Sequence, residues 1–153
     1  MNKLDFLQHR FVAIIASLQP DTTPRWGKMN LHQMVEHMTD SIQIATEKIK
    51  PNYEQPTGVT EKMKSFMMSE KPFKENTPNP LMSEMPLPTR FDNLQTSLDE
   101  LQAEIDLFVE HFNDDSQKTV KNPFFGELTG AEWAHLLHKH AMHHLSQFGY
   151  SPS

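Results

Sequence analysis

Four stretches of the chain place apolar residues at every third or fourth position, the period of a helix with one buried face. At about 100° per residue, Leu4, Leu7, Phe11, Ile15 and Leu18 share a narrow arc, which predicts a first helix over about 3–18. Asp21, Thr22, Thr23 and Pro24 break that pattern. Asn30 followed by Gln33 then has the chemistry of a capping box, and Leu31, Met34, Val35, Met38, Ile42, Ala45 and Ile49 carry a second stripe as far as Pro51. A third helix is expected over about 91–112, with Leu94, Leu98, Leu101, Ile105, Phe108 and Phe112 on one side. Thr129 and Glu132 repeat the capping-box pattern and Gly149 stands where a C-terminal cap belongs, so a fourth helix is expected over about 130–148. No internal repeat and no strand-like alternation of useful length interrupts this series. The reading is all-α, a four-helix bundle.

Residues 50–90 differ in kind, holding seven of the eleven prolines and five of the ten methionines, and form a long crossover between helices two and three. Val59 to Met68 can make a short helix there, while Pro72, Pro78, Pro80, Pro86 and Pro88 impose extended, turn-rich backbone. A connector this long either covers a site or crosses between parallel elements. The short first link makes helices one and two antiparallel, and the long one lets helix three run parallel to helix two, giving the order up-down-down-up. At 153 residues, residues 1–153 are expected to form one domain.

Composition narrows the chemistry. The 14 basic and 20 acidic residues leave a net charge of -6, so the cationic excess that nucleic-acid and anionic-membrane binders need is missing. No stretch approaches the ~18 apolar residues of a membrane span. Phe11 to Leu18, behind Lys3 and Arg10, imitates a signal peptide, but its apolar spacing extends upstream through Asp5, Gln8 and His9, and no small-x-small site precedes Pro20. A cytoplasmic location is the expectation. Without cysteine, disulfides, thiolate metal sites and cysteine nucleophiles are excluded, and any metal must be held by nitrogen or oxygen.

Nine histidines are the main anomaly, and His135, His138, His140, His143 and His144 fall within ten residues. Taking Trp133 as zero on the helical wheel, His140 lies near about 340° and His144 near about 20°, in the middle of the apolar stripe. One turn apart, both imidazoles can reach a single ion. The plainer reading makes them core histidines bonded to backbone, but two stacked in one stripe would each need a separate polar partner, whereas a shared metal satisfies both. His135 and His138 fall on the opposite side as surface residues, and His143 lies at the edge of the core face. For a third ligand, His37 stands at the edge of its stripe beside Met34 and Ser41, where a half-exposed surface histidine is an equal reading; His32 is the alternative. His9 and His111 fall off their helices' apolar arcs and are expected to be solvated. Glu132-Trp-Ala-His135 matches the Glu-x-x-His pattern of di-iron carboxylate bundles, but no second copy occurs and Glu132 suits the capping box better.

Pro24-Arg25-Trp26-Gly27-Lys28-Met29-Asn30, His37, Gly126-Glu127-Leu128-Thr129, Trp133, His140, His143, His144, Gln147, Phe148 and Gly149 together resemble the DinB-like superfamily. More narrowly they are similar to short bacterial DinB-related domains of unassigned function. The resemblance spans nearly the whole chain but draws nothing from the proline-rich connector. It implies a four-helix bundle of up-down-down-up order holding a divalent metal, such as zinc, nickel or iron, with three histidines. Carried over by position, these are His37, His140 and His144. It also implies a small-molecule substrate, since relatives include transferases and isomerases that use low-molecular-weight thiols. Two functions stay open: a metal-dependent transferase, isomerase or hydrolase, in which Glu36, Asp40 or the connector supplies an acid or base, and a non-catalytic metal-binding or stress-related bundle. A homodimer also stays open.

Overall fold

The computed structural model describes residues 2–53, 55–75, 86–113 and 115–152. Among the described residues, five helices and one two-stranded antiparallel hairpin make up the regular structure. Helix α1 runs as α-helix over Lys3–Phe6, π-helix over Leu7–Phe11 and α-helix again over Val12–Ser17, with the Asn2 side chain accepting from the Asp5 N–H at 2.8 Å. The wider π turn, which the wheel does not foresee, accompanies burial of Ile14 as well as Ile15.

Helix α2, Leu31–Ala45, begins as expected, with both arms of the Asn30–Gln33 capping box formed. It ends short of Ile49 because Glu47 turns into the left-handed region at φ 65°. That turn brings the Lys48 ammonium to both oxygens of Glu104, at 2.8 and 3.0 Å, and so pairs a carboxylate that is only 7% exposed. Helix α3, Thr57–Met68, is the short helix expected in the connector. The extended backbone expected at Pro78 and Pro80 lies outside the described residues.

Helix α4, Leu94–Phe112, starts three residues later than the periodicity suggests. Asn93 caps it through the Thr96 N–H, while the Arg90 and Phe91 N–H groups donate to Glu36 on α2 at 2.7 and 3.3 Å. Residues 90 and 91 therefore serve as a tie between helices.

Thr119–Asn122 (β1) and Gly126–Thr129 (β2) form a hairpin inside what reads as a break without strands. Val120 pairs with Leu128, both buried, and the Val120 carbonyl accepts from the indole N–H of Trp133 at 3.0 Å. Four residues per strand are too few for alternation to register. Helix α5, Gly130–Gln147, opens on the expected Thr129–Glu132 capping box, and Gly149 follows its end at φ 91°.

One continuous apolar cluster joins these elements, built around Phe11, Ile15, Met34, Met38, Ile42, Leu101, Ile105, Leu128 and Trp133. Along α2, the turn that follows it and α4, the polar pairings advance together, from Glu36–Ser97 to Lys48–Glu104. Between α5 and the segment made of α2 and the loop leading into it they run in opposite order, from Trp26–Gln147 to His37–His140.

The connector helix is held at its C-terminal end by α5. Lys139 donates to the carbonyls of Phe66, Met67 and Ser69 at 3.1–3.2 Å and lies over the rings of Phe66 and Phe73. One turn before it, His135 Nε2 meets the Met67 carbonyl at 2.9 Å. Carbonyls at a helix terminus lack intrahelical partners, and here Lys139 and His135 join Ser69 in supplying donors to them. His135 is therefore buried, 9% exposed, and not the surface residue its wheel position suggests, because α3 covers that side of α5. His138 is likewise half-buried, edge-on to Phe6 at 5.1 Å. Lys139→Ala should cost about 1.5–3 kcal/mol, the range for hydrogen bonds to charged groups. The loss should appear as faster amide exchange across Thr57–Met68 and a lower urea midpoint, with α2, α4 and α5 still protected.

Candidate metal centre

The stripes that pack α2 against α5 bring three imidazoles together. His37 Nε2 lies 3.0 Å from His140 Nε2, and His144 Nε2 lies 2.9 Å from the same atom. Three ligand nitrogens thus sit within 4.8 Å of one another, close enough to share one ion. As whole residues His144 is buried and His37 and His140 are partly exposed.

Burial holds all three imidazoles neutral. It lowers His37 from the usual 6.5 to about 4, with a further push from His143. It also takes His140 and His144 well below their ordinary value, helped by the other histidines of the group. Neutral imidazole is the form that ligates metal.

The protons within the cluster can be counted. Gln147 Nε2 donates to the Trp26 carbonyl at 2.8 Å, and Gln147 Oε1 accepts from His144 Nδ1 at 2.8 Å. A neutral His144 then has a bare lone pair at Nε2. His140 Nε2 faces both neighbours, and a single N–H there can point at only one of them. With the protons of His37 and His140 also carried on Nδ1, all three Nε2 atoms present lone pairs to one point, as a shared cation requires. The donor set therefore fits a divalent ion that accepts imidazole, a condition zinc, nickel and iron all meet.

His143 stands beside the cluster, edge-on to Trp26, Phe73 and His144 at centroid distances of 5.6, 6.2 and 5.2 Å. Burial lowers its pKa, and a hydrogen bond with the Phe73 backbone works against that. The connector thus reaches the site through Phe73. His32, the alternative third ligand, turns toward α4 and meets Ser97 Oγ at 2.7 Å and Glu36 at 3.3 Å. His9 is exposed as expected. His111 is not solvated: it is partly buried against Phe112, and its Nε2 has no partner among the described residues.

The carboxylates considered as acid or base are occupied elsewhere. Glu36 accepts from Ser97, Arg90 and Phe91, and Asp40 accepts from Arg90 at 3.0 Å. Burial works to raise the pKa of Glu36, but those donors and the Arg90 charge together hold it below the usual value. Glu132 completes the capping box and pairs with Lys64, apart from the three-histidine group. Gln147 enters the sequence reading only through the resemblance. Its spacing of three from His144 is the local signal that could have singled it out.

A mainly helical chain with three converging histidines from two helices defines the class. The family model of the DinB superfamily matches residues 3–148, and the chain belongs to that superfamily. No curated protein and no solved structure matches it. Among the described residues, no helix is long and apolar enough to cross a membrane.

Proposed function

We propose that this chain binds a divalent metal through His37, His140 and His144 and acts as a metal-dependent enzyme on a small-molecule substrate. The observation that carries the reading is the meeting of three neutral Nε2 atoms, two of the pairs at 2.9 and 3.0 Å. Three imidazoles leave coordination positions open, which is the arrangement of catalytic sites. When bound, a divalent ion supplies Lewis acidity toward a substrate oxygen or sulfur. The chain itself holds His144 through Gln147, supplies His37 and His140 from facing helices, and sets Trp26, His143 and Phe73 beside them. Low-molecular-weight thiols are one substrate class to assay. We also read the long helices as an up-down-down-up bundle, supported by the parallel pairing of α2 with α4 and the opposite order between α2 and α5.

The occupation of Glu36 and Asp40 by other partners favours a second reading, in which the ion chiefly fixes the packing of α2 against α5. Elemental analysis of protein purified without a histidine tag should find close to one equivalent of zinc, nickel or iron per chain. Its absence, together with no uptake by the stripped protein, would defeat both readings. Turnover of a thiol or hydrolysable substrate that depends on added metal would separate the first from the second.

A further inference from the structure

We propose that Gln147 is a positioning residue that fixes which nitrogen of His144 is free to bind, and that position 27 is glycine to leave room for its amide. The proposal rests on the metal reading above for its consequence, although not for its geometry. A backbone carbonyl can only accept, so the Trp26 oxygen, 2.8 Å away, orients the NH2 of Gln147 toward itself. The amide oxygen must then face His144 Nδ1, at 2.8 Å, and can only accept in turn. His144 is left with its proton on Nδ1 and its lone pair on Nε2, aimed at His140. A free imidazole prefers the opposite tautomer, with the proton on Nε2, which would block the ligand atom.

The loop that supplies the Trp26 carbonyl is fastened independently. The Arg25 N–H donates to the Gln147 carbonyl at 2.7 Å, so the loop and the last turn of α5 are joined by backbone as well as by side chain. Gly27 follows at φ 77°, and a Cβ there would stand 2.8 Å from Gln147 Nε2. Any other residue at position 27 adopts a strained backbone and pushes the amide off its carbonyl. Gln147 is 4% exposed, so water has little access to replace it.

The test measures zinc affinity of the metal-stripped full chain together with the ring ¹⁵N shifts of His144, identified by their loss in His144→Asn. Gln147→Leu should bind zinc 10- to 100-fold more weakly, the usual cost of losing an outer-shell partner, and His144 should lose its Nδ1–H signature in the metal-free protein. Gln147→Glu should restore both. As a carboxylate it still accepts from Nδ1, and as a buried acid it can also donate to the Trp26 carbonyl. Gly27→Ala should act as Gln147→Leu does, and it carries the same readouts if the leucine variant does not fold.

An unchanged Nδ1–H signature in Gln147→Leu or Gly27→Ala overturns the proposal. So does a folded Gln147→Glu that binds as weakly as Gln147→Leu, which would leave Gln147 a role in loop docking only. If the parental chain takes up no zinc, the metal reading fails, and the His144 tautomer in the metal-free protein still decides this one.

Discussion

Alanine at His37, His140 or His144 is expected to lower zinc or nickel affinity by more than the 10- to 100-fold that loss of an outer-shell partner costs. Each variant removes one of three converging nitrogens, and among the described residues the group close enough to share one ion is His37, His140 and His144. His32 is engaged with Ser97 and Glu36, and Glu36 and Asp40 are held by α4 and Arg90. Folding should survive, because His37 and His140 are partly exposed and the apolar cluster that joins the helices does not include them. His32→Ala and His143→Ala serve as controls and should keep affinity near the parental value. Titration of the stripped proteins with zinc, alongside circular dichroism, decides the matter. Near-parental affinity in His37→Ala would exclude it as a ligand, and the same result in His140→Ala or His144→Ala would remove the site altogether.

Local chemistry explains which parts of this arrangement can be read from the chain. The starts of α2 and α5 are legible because a capping box is written in four consecutive residues, Asn30 to Gln33 and Thr129 to Glu132, and needs no distant partner. The pair His140 and His144 is legible for the same reason, since spacing of one turn fixes a shared face. The end of α2 and the start of α4 are not, because Lys48 reaches Glu104 and the Arg90 N–H reaches Glu36 across more than fifty residues. His135 is misplaced on the wheel because its partners are carbonyls of the connector helix. His37 stays ambiguous in sequence because the edge of an apolar stripe suits a surface histidine as well as the proposed ligand. The structure brings His37 into a group with His140 and His144, which its place on the wheel alone does not decide.

Lowering the pH of the metal-free protein from 7 to 5 should reduce its stability, with His37 alone accounting for about 2 kcal/mol of the loss. Its folded value of about 4 lies below the 6.5 of an unconstrained histidine, so the unfolded chain takes up the proton first. Stability is therefore unaffected well above pH 6.5, falls as the pH drops through 6.5, and stops changing on this account only below about 4. His140 and His144 act in the same direction, as do His111, His138 and His143 from outside the cluster. Carboxylates whose pKa values lie below normal, such as Glu36, lose their contribution only at pH below about 4.5, so the interval from 6.5 to 5 reports chiefly on histidines. Urea unfolding across that interval should show a smaller loss in His37→Ala than in the parent. Zinc at 100 times its dissociation constant should add about 2.7 kcal/mol at pH 7, and that increment should shrink on acidification because protons compete for the same nitrogens. Equal pH dependence in the parent and His37→Ala would show that His37 is not held neutral by its surroundings.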